Sequence, residues 1–140
     1  MNGFNPFKVV QPGGRLTPEY LLGIATELGR DVAHWEGRLQ HGAACAYMSL
    51  FADERLGVWA IVWDQDAREE AFPIQDRSNG GVYVVRGRIR HERLWPYGEP
   101  AVRCVSAGEG FSLDATAAHR LSRERGAGPT VTVHAYSPPP

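Results

Sequence analysis

Cysteine is almost missing from this 140-residue chain. Cys45 and Cys104 are the two present; they fit no Cys-x-x-Cys or zinc spacing and build no disulfide framework. Lysine is scarcer still: Lys8 stands alone, and the other basic residues are arginines. The 15 basic and 16 acidic residues leave a net charge of −1, which excludes the footprint of a nucleic-acid-binding protein and a polybasic membrane patch. No apolar run approaches the ~20 residues that a membrane-spanning helix needs. The opening MNGFNPFKVVQPGG lacks the basic segment and long apolar stretch of a secretory signal, so a cytoplasmic location is expected. What remains is an ordinary globular composition, 43% apolar and 22% charged, in a chain long enough for one domain with a full core.

Pro6, Pro12, Gly13 and Gly14 mark residues 1–16 as an extended arm, with a single domain expected over 17–140. The segment TPEYLLGIATELG then carries helix punctuation: Thr17 as cap, Pro18 at the first helical position and Gly29 after the last turn. A second short helix is expected from Asp31, with Val32, Trp35 and Leu39 along one side. From Ala44 the apolar period changes to two. Strands are expected over 44–51, 57–63, 82–85, 88–95, 101–106, 110–113, 119–123 and 130–136, separated by ADERLG, SNGG, RG, PYGEP, AGEG and GAGP. The RG turn reads as the tip of a hairpin. Two short helices followed by many closely spaced strands predict an all-β antiparallel barrel or jelly roll.

The last strand, TVTVHAY, is the most informative. Alternation puts Thr130, Thr132, His134 and Tyr136 on one face and Val131, Val133 and Ala135 on the other. The bland reading is an edge strand with a solvated polar face. The functional one is a hydrogen-bonded Thr–His–Tyr row inside a barrel, orienting an imidazole and a phenol for proton transfer. His119 opens another strand, eleven residues after Gly108. That spacing matches a cupin motif in which a glycine turn opens a strand and a histidine follows.

Taken together, HRLSRERGAGPTVTVHAYSPP resembles the C-terminal signature of cysteine dioxygenase and related thiol dioxygenases. That signature is a ligand histidine before Arg, then Ser-x-His-x-Tyr-Ser-Pro-Pro. The likeness extends as a pattern through GGVYVVRGRIRHE and VWAIVWDQDAREEAFPI to about residue 17. It implies a small cupin that binds Fe(II) through three histidines and adds O₂ to a thiol. By position, His119 would be the third ligand, and Thr132, His134 and Tyr136 the row beside the metal. Tyr47 would match the tyrosine of a Tyr-x-Arg whose arginine holds the substrate carboxylate. The Ser137–Pro138 bond would be cis.

The departures fall in one place. Where the family has Pro-x-His-x-His, this chain has Pro73-Ile74-Gln75-Asp76-Arg77, and no histidine lies between His41 and His91. The Tyr-x-Arg arginine is Ser49. A stable iron or zinc site needs three or four N, S or O donors, so no cofactor is expected. Three readings follow. In the first, the protein is an enzyme acting by acid–base chemistry on a small anionic, amino-acid- or thiol-derived metabolite. His119, His134, Tyr136 and Thr132 carry the chemistry, and Arg77, Gln75, Tyr47 and Ser49 contact the substrate. Arg77 is the anchor: a guanidinium in a barrel interior needs an anionic partner. In the second, an oxygenase holds iron or another divalent transition metal in a non-standard site, with His119 joined by His91, Asp76 or His134. In the third, a binding protein keeps the fold without the chemistry. A small molecule is the expected partner in all three, with no nucleic acid or membrane; a homodimer is compatible with the fold.

Overall fold

The computed structural model describes residues 14–39, 45–63, 72–74, 78–94, 99–116 and 118–139. Helix α1 (Pro18–Arg30) begins where the sequence punctuates it: Thr17 Oγ1 accepts the Tyr20 N–H at 3.2 Å, and Pro18 occupies the first turn. It runs one residue past Gly29, because that glycine serves packing rather than capping. A Cβ there would sit 2.2 Å from the Tyr83 ring. The second helix does not form as an α-helix. Two 3₁₀ turns, Val32–His34 and Glu36–Arg38, take its place, anchored by Trp35, whose buried indole donates to the Leu28 carbonyl at 2.9 Å.

Nine strands follow among the described residues: β1 (Cys45–Ala52), β2 (Gly57–Trp63), β3 (Phe72–Ile74), β4 (Asn79–Arg86), β5 (Arg88–Leu94), β6 (Ala101–Ser106), β7 (Gly110–Leu113), β8 (Ala118–Arg123) and β9 (Thr130–Ser137). They make two antiparallel sheets, β1-β2-β9-β4-β7 and β3-β8-β5-β6. The expected hairpin around Gly87 is instead a corner: β4 pairs with β7 and β9, while β5 pairs with β6 and β8. Gly87 makes that corner possible. Its φ is 79°, and a Cβ would fall 2.1 Å from Thr130 Oγ1. β3 was not expected, because Pro73 at its centre reads as loop. As an edge strand it tolerates a residue without an N–H.

Two apolar layers result. The outer face of the five-stranded sheet, with Val58, Ala60, Val62, Val131, Val133 and Ala135, is covered by Leu21, Ile24 and Ala25 of α1. Burying each such leucine or isoleucine is worth about 1.5–3 kcal/mol. The helix backbone lies so close that a Cβ on Gly81 would meet the Leu22 N at 2.2 Å. The inner face, with Ile61, Trp63, Val82 and Val84, packs against Ile89, Val105 and Leu121 of the other sheet. Leu16 belongs to the core rather than to a separate arm. It is 1% exposed, its N–H reaches Ser137 Oγ at 2.9 Å, and its carbonyl accepts from Asn79 Nδ2. The rest of the expected arm, residues 1–13, lies outside the described residues. Among those described, no helix is long and apolar enough to cross a membrane.

Candidate functional site

β9 is the central strand of its sheet and is buried throughout, so the solvated-edge reading of TVTVHAY does not hold. Its polar face points between the sheets. Trp63 Nε1–H donates to Thr132 Oγ1 at 3.0 Å, Thr132 Oγ1 lies 2.6 Å from His134 Nε2, and His134 Nδ1 lies 2.8 Å from the Tyr136 hydroxyl. Hydrogen-bond capacity limits where the protons lie. An indole can only donate, so Thr132 Oγ1 accepts there, and its second lone pair or its own proton meets His134 Nε2. With the single proton of the neutral imidazole on Nδ1, His134 accepts from Thr132 and donates to the Tyr136 oxygen, which leaves the phenol proton for another acceptor; with it on Nε2, Tyr136 donates to Nδ1. Burial pushes the His134 pKa down to about 3, so the imidazole is neutral. Burial, helped by Tyr47, pushes the Tyr136 phenol up. Tyr136 therefore stays protonated as a donor.

The opposite sheet contributes a second polar group. His119 is 3% exposed, and its Nδ1 lies 2.8 Å from His91 Nε2. Strand register explains the meeting: Arg93 and His91 of β5 lie across from His119 and Leu121 of β8, all on the inner face. Phe111 of the five-stranded sheet stacks on the His91 ring with centroids 4.4 Å apart. Burial, then His119, Arg103 and Arg93, push the His91 pKa down to about 4. Burial also lowers that of His119, against the pull of the Asp114 carboxylate. The pair is neutral at pH 7. His119 Nε2 is buried and has no hydrogen-bond partner among the described residues.

Of the other sequence-chosen residues, Tyr47 and Ser49 lie across from Ile61 and Trp59 on the inner side of edge strand β1; both are exposed, and Tyr47 is near enough to Tyr136 to help raise its phenol. Gln75, Asp76 and Arg77 lie outside the described residues. Trp63, Arg93, Arg103 and Phe111 were missed by sequence reasoning. A groove of about 760 Å³ lies elsewhere, on the helix side of the five-stranded sheet, lined by Tyr20, Leu28, Leu50 and Leu56. None of the site residues borders it.

The donor set does not fit a three-histidine iron site. Both ring nitrogens of His134 are taken by Thr132 and Tyr136, and His91 directs its Nε2 at His119. Among the described residues no three His, Cys, Asp or Glu side chains come together as a metal site.

The chain has the cupin fold. Among solved structures it is similar to an RmlC-like cupin from Shewanella frigidimarina, with 18% identity and a TM-score of 0.57 over 71% of this chain and 81% of that one. It is also similar to KdgF from Halomonas sp. (19%, TM-score 0.55, 73% and 86% of the chains) and to the cupin domain of Schizosaccharomyces pombe Cnp3 (10%, 0.59, 74% and 72%). At these identities the likeness is one of fold. No protein-family model and no curated protein matches the sequence. The Ser137–Pro138 bond is cis.

Proposed function

We propose that this chain is a cupin enzyme performing acid–base chemistry on a small anionic metabolite, without the three-histidine iron of the thiol dioxygenases it resembles. The observation that carries the reading is the buried Trp63–Thr132–His134–Tyr136 chain. A buried polar row is costly unless it is satisfied or used, and in the Nδ1–H tautomer of His134 this one is satisfied at every link except the phenol proton. Tyr136 would give that proton to a substrate oxygen gaining negative charge. The His134 Nδ1–H, backed by Thr132 and Trp63, would stabilise the phenolate left behind. Isomerisation, dehydration and cyclisation all need such a step. His119 faces the same interior from the other sheet. Gln75 and Arg77 remain proposed substrate contacts, so Arg77→Ala should weaken ligand binding more than fold stability.

One observation favours the rewired oxygenase as second reading: the free, buried Nε2 of His119 beside His91. Deuterium exchange separates the two. A panel of small 2-oxo, 2-hydroxy and thiol carboxylic acids would be followed by NMR in D₂O with EDTA present. At least one acid should exchange or rearrange, and Tyr136→Phe and His134→Gln should each slow it about 10²–10⁴-fold. A reaction that requires added Fe(II) and O₂ and stops in EDTA would point to the oxygenase. Saturable binding without reaction would point to a binding protein.

A further inference from the structure

Tyr136 stands between two glycines. Strand register places Gly57 of β2 on one side of it and Gly80 of β4 on the other. Residues paired across an antiparallel ladder share a face, so neither neighbour puts a side chain beside the phenol ring. Two aromatic rings lie down in the space this leaves. The Tyr136 ring leans over Gly80, where a Cβ would fall 2.9 Å from its Cδ1 and Cε1 and 3.2 Å from Leu113 Cδ1. The Trp59 ring folds back along its own strand over Gly57, where a Cβ would overlap Cη2 and lie 2.6 Å from Cζ3. Trp59 is itself paired with His134, and its indole reaches Tyr136 from the Gly57 side. The two ring centroids are 6.0 Å apart and the planes are tilted by 42°, within the range that aromatic pairs favour. The His134 ring meets the same phenol at 5.9 Å and 40°. Tyr136 is buried, and Trp59 is partly buried against the same apolar layer.

We infer that Trp59 is a positioning residue for Tyr136: by filling the space over Gly57, its indole holds the phenol against Gly80 and in line with His134 Nδ1. The inference deepens the proposed function and rests on its reading that Tyr136 delivers the proton. A hydrogen bond weakens steeply as its angle departs from linear, and proton transfer needs the same alignment. The 2.8 Å contact between His134 Nδ1 and the Tyr136 hydroxyl therefore holds only while the phenol ring cannot swing. Leu113 and the Gly80 backbone close one side of that swing, and Trp59 closes the other. Gly57 is part of the same device, since a methyl group there would push the indole off the strand. A tryptophan that merely covers apolar surface would leave the His134–Tyr136 bond indifferent to its replacement.

The test follows the His134 ring nitrogens of the full chain by ¹⁵N NMR, with Tyr136→Phe marking where the Nδ1 signal falls once the hydroxyl is gone. Trp59→Leu and Gly57→Ala should each move Nδ1 toward that mark, and Trp59→Phe, which keeps a ring, should move it less than either. Gly57→Ala retains the indole and changes only where it lies, so it decides the matter even if Trp59→Leu weakens the fold. Turnover gives a second readout, using whichever acid of the panel exchanges in D₂O. Trp59→Leu should lower kcat about 10–100-fold, the scale of a misplaced reacting group, and leave KM within about threefold. In the Tyr136→Phe background the same replacement should cost no more than about twofold, because a residue acting through the phenol has nothing left to position. An Nδ1 signal unmoved in either folded variant, or a full Trp59→Leu loss that persists in Tyr136→Phe, would overturn the inference. The two proposals fail separately. An Nδ1 signal that moves as expected while no acid shows Tyr136-dependent exchange removes only the catalytic reading; Tyr136-dependent exchange with an unmoved Nδ1 removes only the positioning role.

Discussion

His134 has an ordinary imidazole pKa of 6.5 that burial lowers to about 3 in the folded protein. Below pH 6.5 the unfolded chain binds a proton that the folded chain refuses. The stability tied to this group is therefore fully present above pH 6.5 and is lost as pH falls toward the folded value. Within that window it amounts to about 1.4 kcal/mol per pH unit. Urea midpoints should drop between pH 7.5 and 5.5 in the wild type and drop less in His134→Gln; equal drops would show that His134 is not the group responsible. Thr132→Val removes, at nearly constant volume, the hydroxyl that meets the buried His134 Nε2 and accepts from Trp63. It should cost about 1–3 kcal/mol for the buried imidazole nitrogen alone, and a loss below about 0.5 kcal/mol in equilibrium denaturation would contradict the chain of bonds. The Thr–His–Tyr row was legible in TVTVHAY because a period of two fixes which side chains share a face. Trp63 was not, because its meeting with Thr132 depends on how β2 and β9 are aligned. Arg93 and Arg103 are not legible for a related reason: an arginine on a strand reads as solvated until its neighbours across the ladder are known.

Among the elements, period-two alternation recovered eight of the nine strands, several to the residue. Two signals misled. Pro73 concealed β3, which survives only as an edge. Gly87 reads as a hairpin tip, since a glycine between two strands marks a change of direction without saying which sheet receives the second strand. The corner has a measurable signature. Gly87→Ala combines a left-handed φ with a clash against Thr130, whereas Gly108→Ala has the same sign of φ and open space. Left-handed backbone alone costs about 1–2 kcal/mol for an L-residue, and overpacking adds about 1–3 kcal/mol. Thermal denaturation should therefore rank Gly87→Ala well below Gly108→Ala. Equal melting temperatures would mean that the corner is not packed against β9 as described.

The whole molecule is a two-sheet cupin whose interior carries buried, hydrogen-bonded polar side chains on both walls: Thr132, His134 and Tyr136 on one, His91 and His119 on the other. The fold class was legible because helix punctuation, strand spacing and turn residues all agreed. Function is not legible from the fold, because a cupin fold hosts many activities and the deciding residues are set by the site. The C-terminal row resembles in sequence the pattern of the thiol dioxygenases, and by that resemblance Gln75 and Arg77 fall at the sequence positions of two iron-ligand histidines. The central proposal is that the interior performs proton transfer without iron. Its most direct test is total metal analysis of protein produced with ample Fe(II) and purified without chelator, wild type beside His119→Ala. The account predicts well under a tenth of an equivalent of iron in both. Near-equimolar iron in the wild type, lost in His119→Ala together with any thiol-oxidising activity, would contradict it.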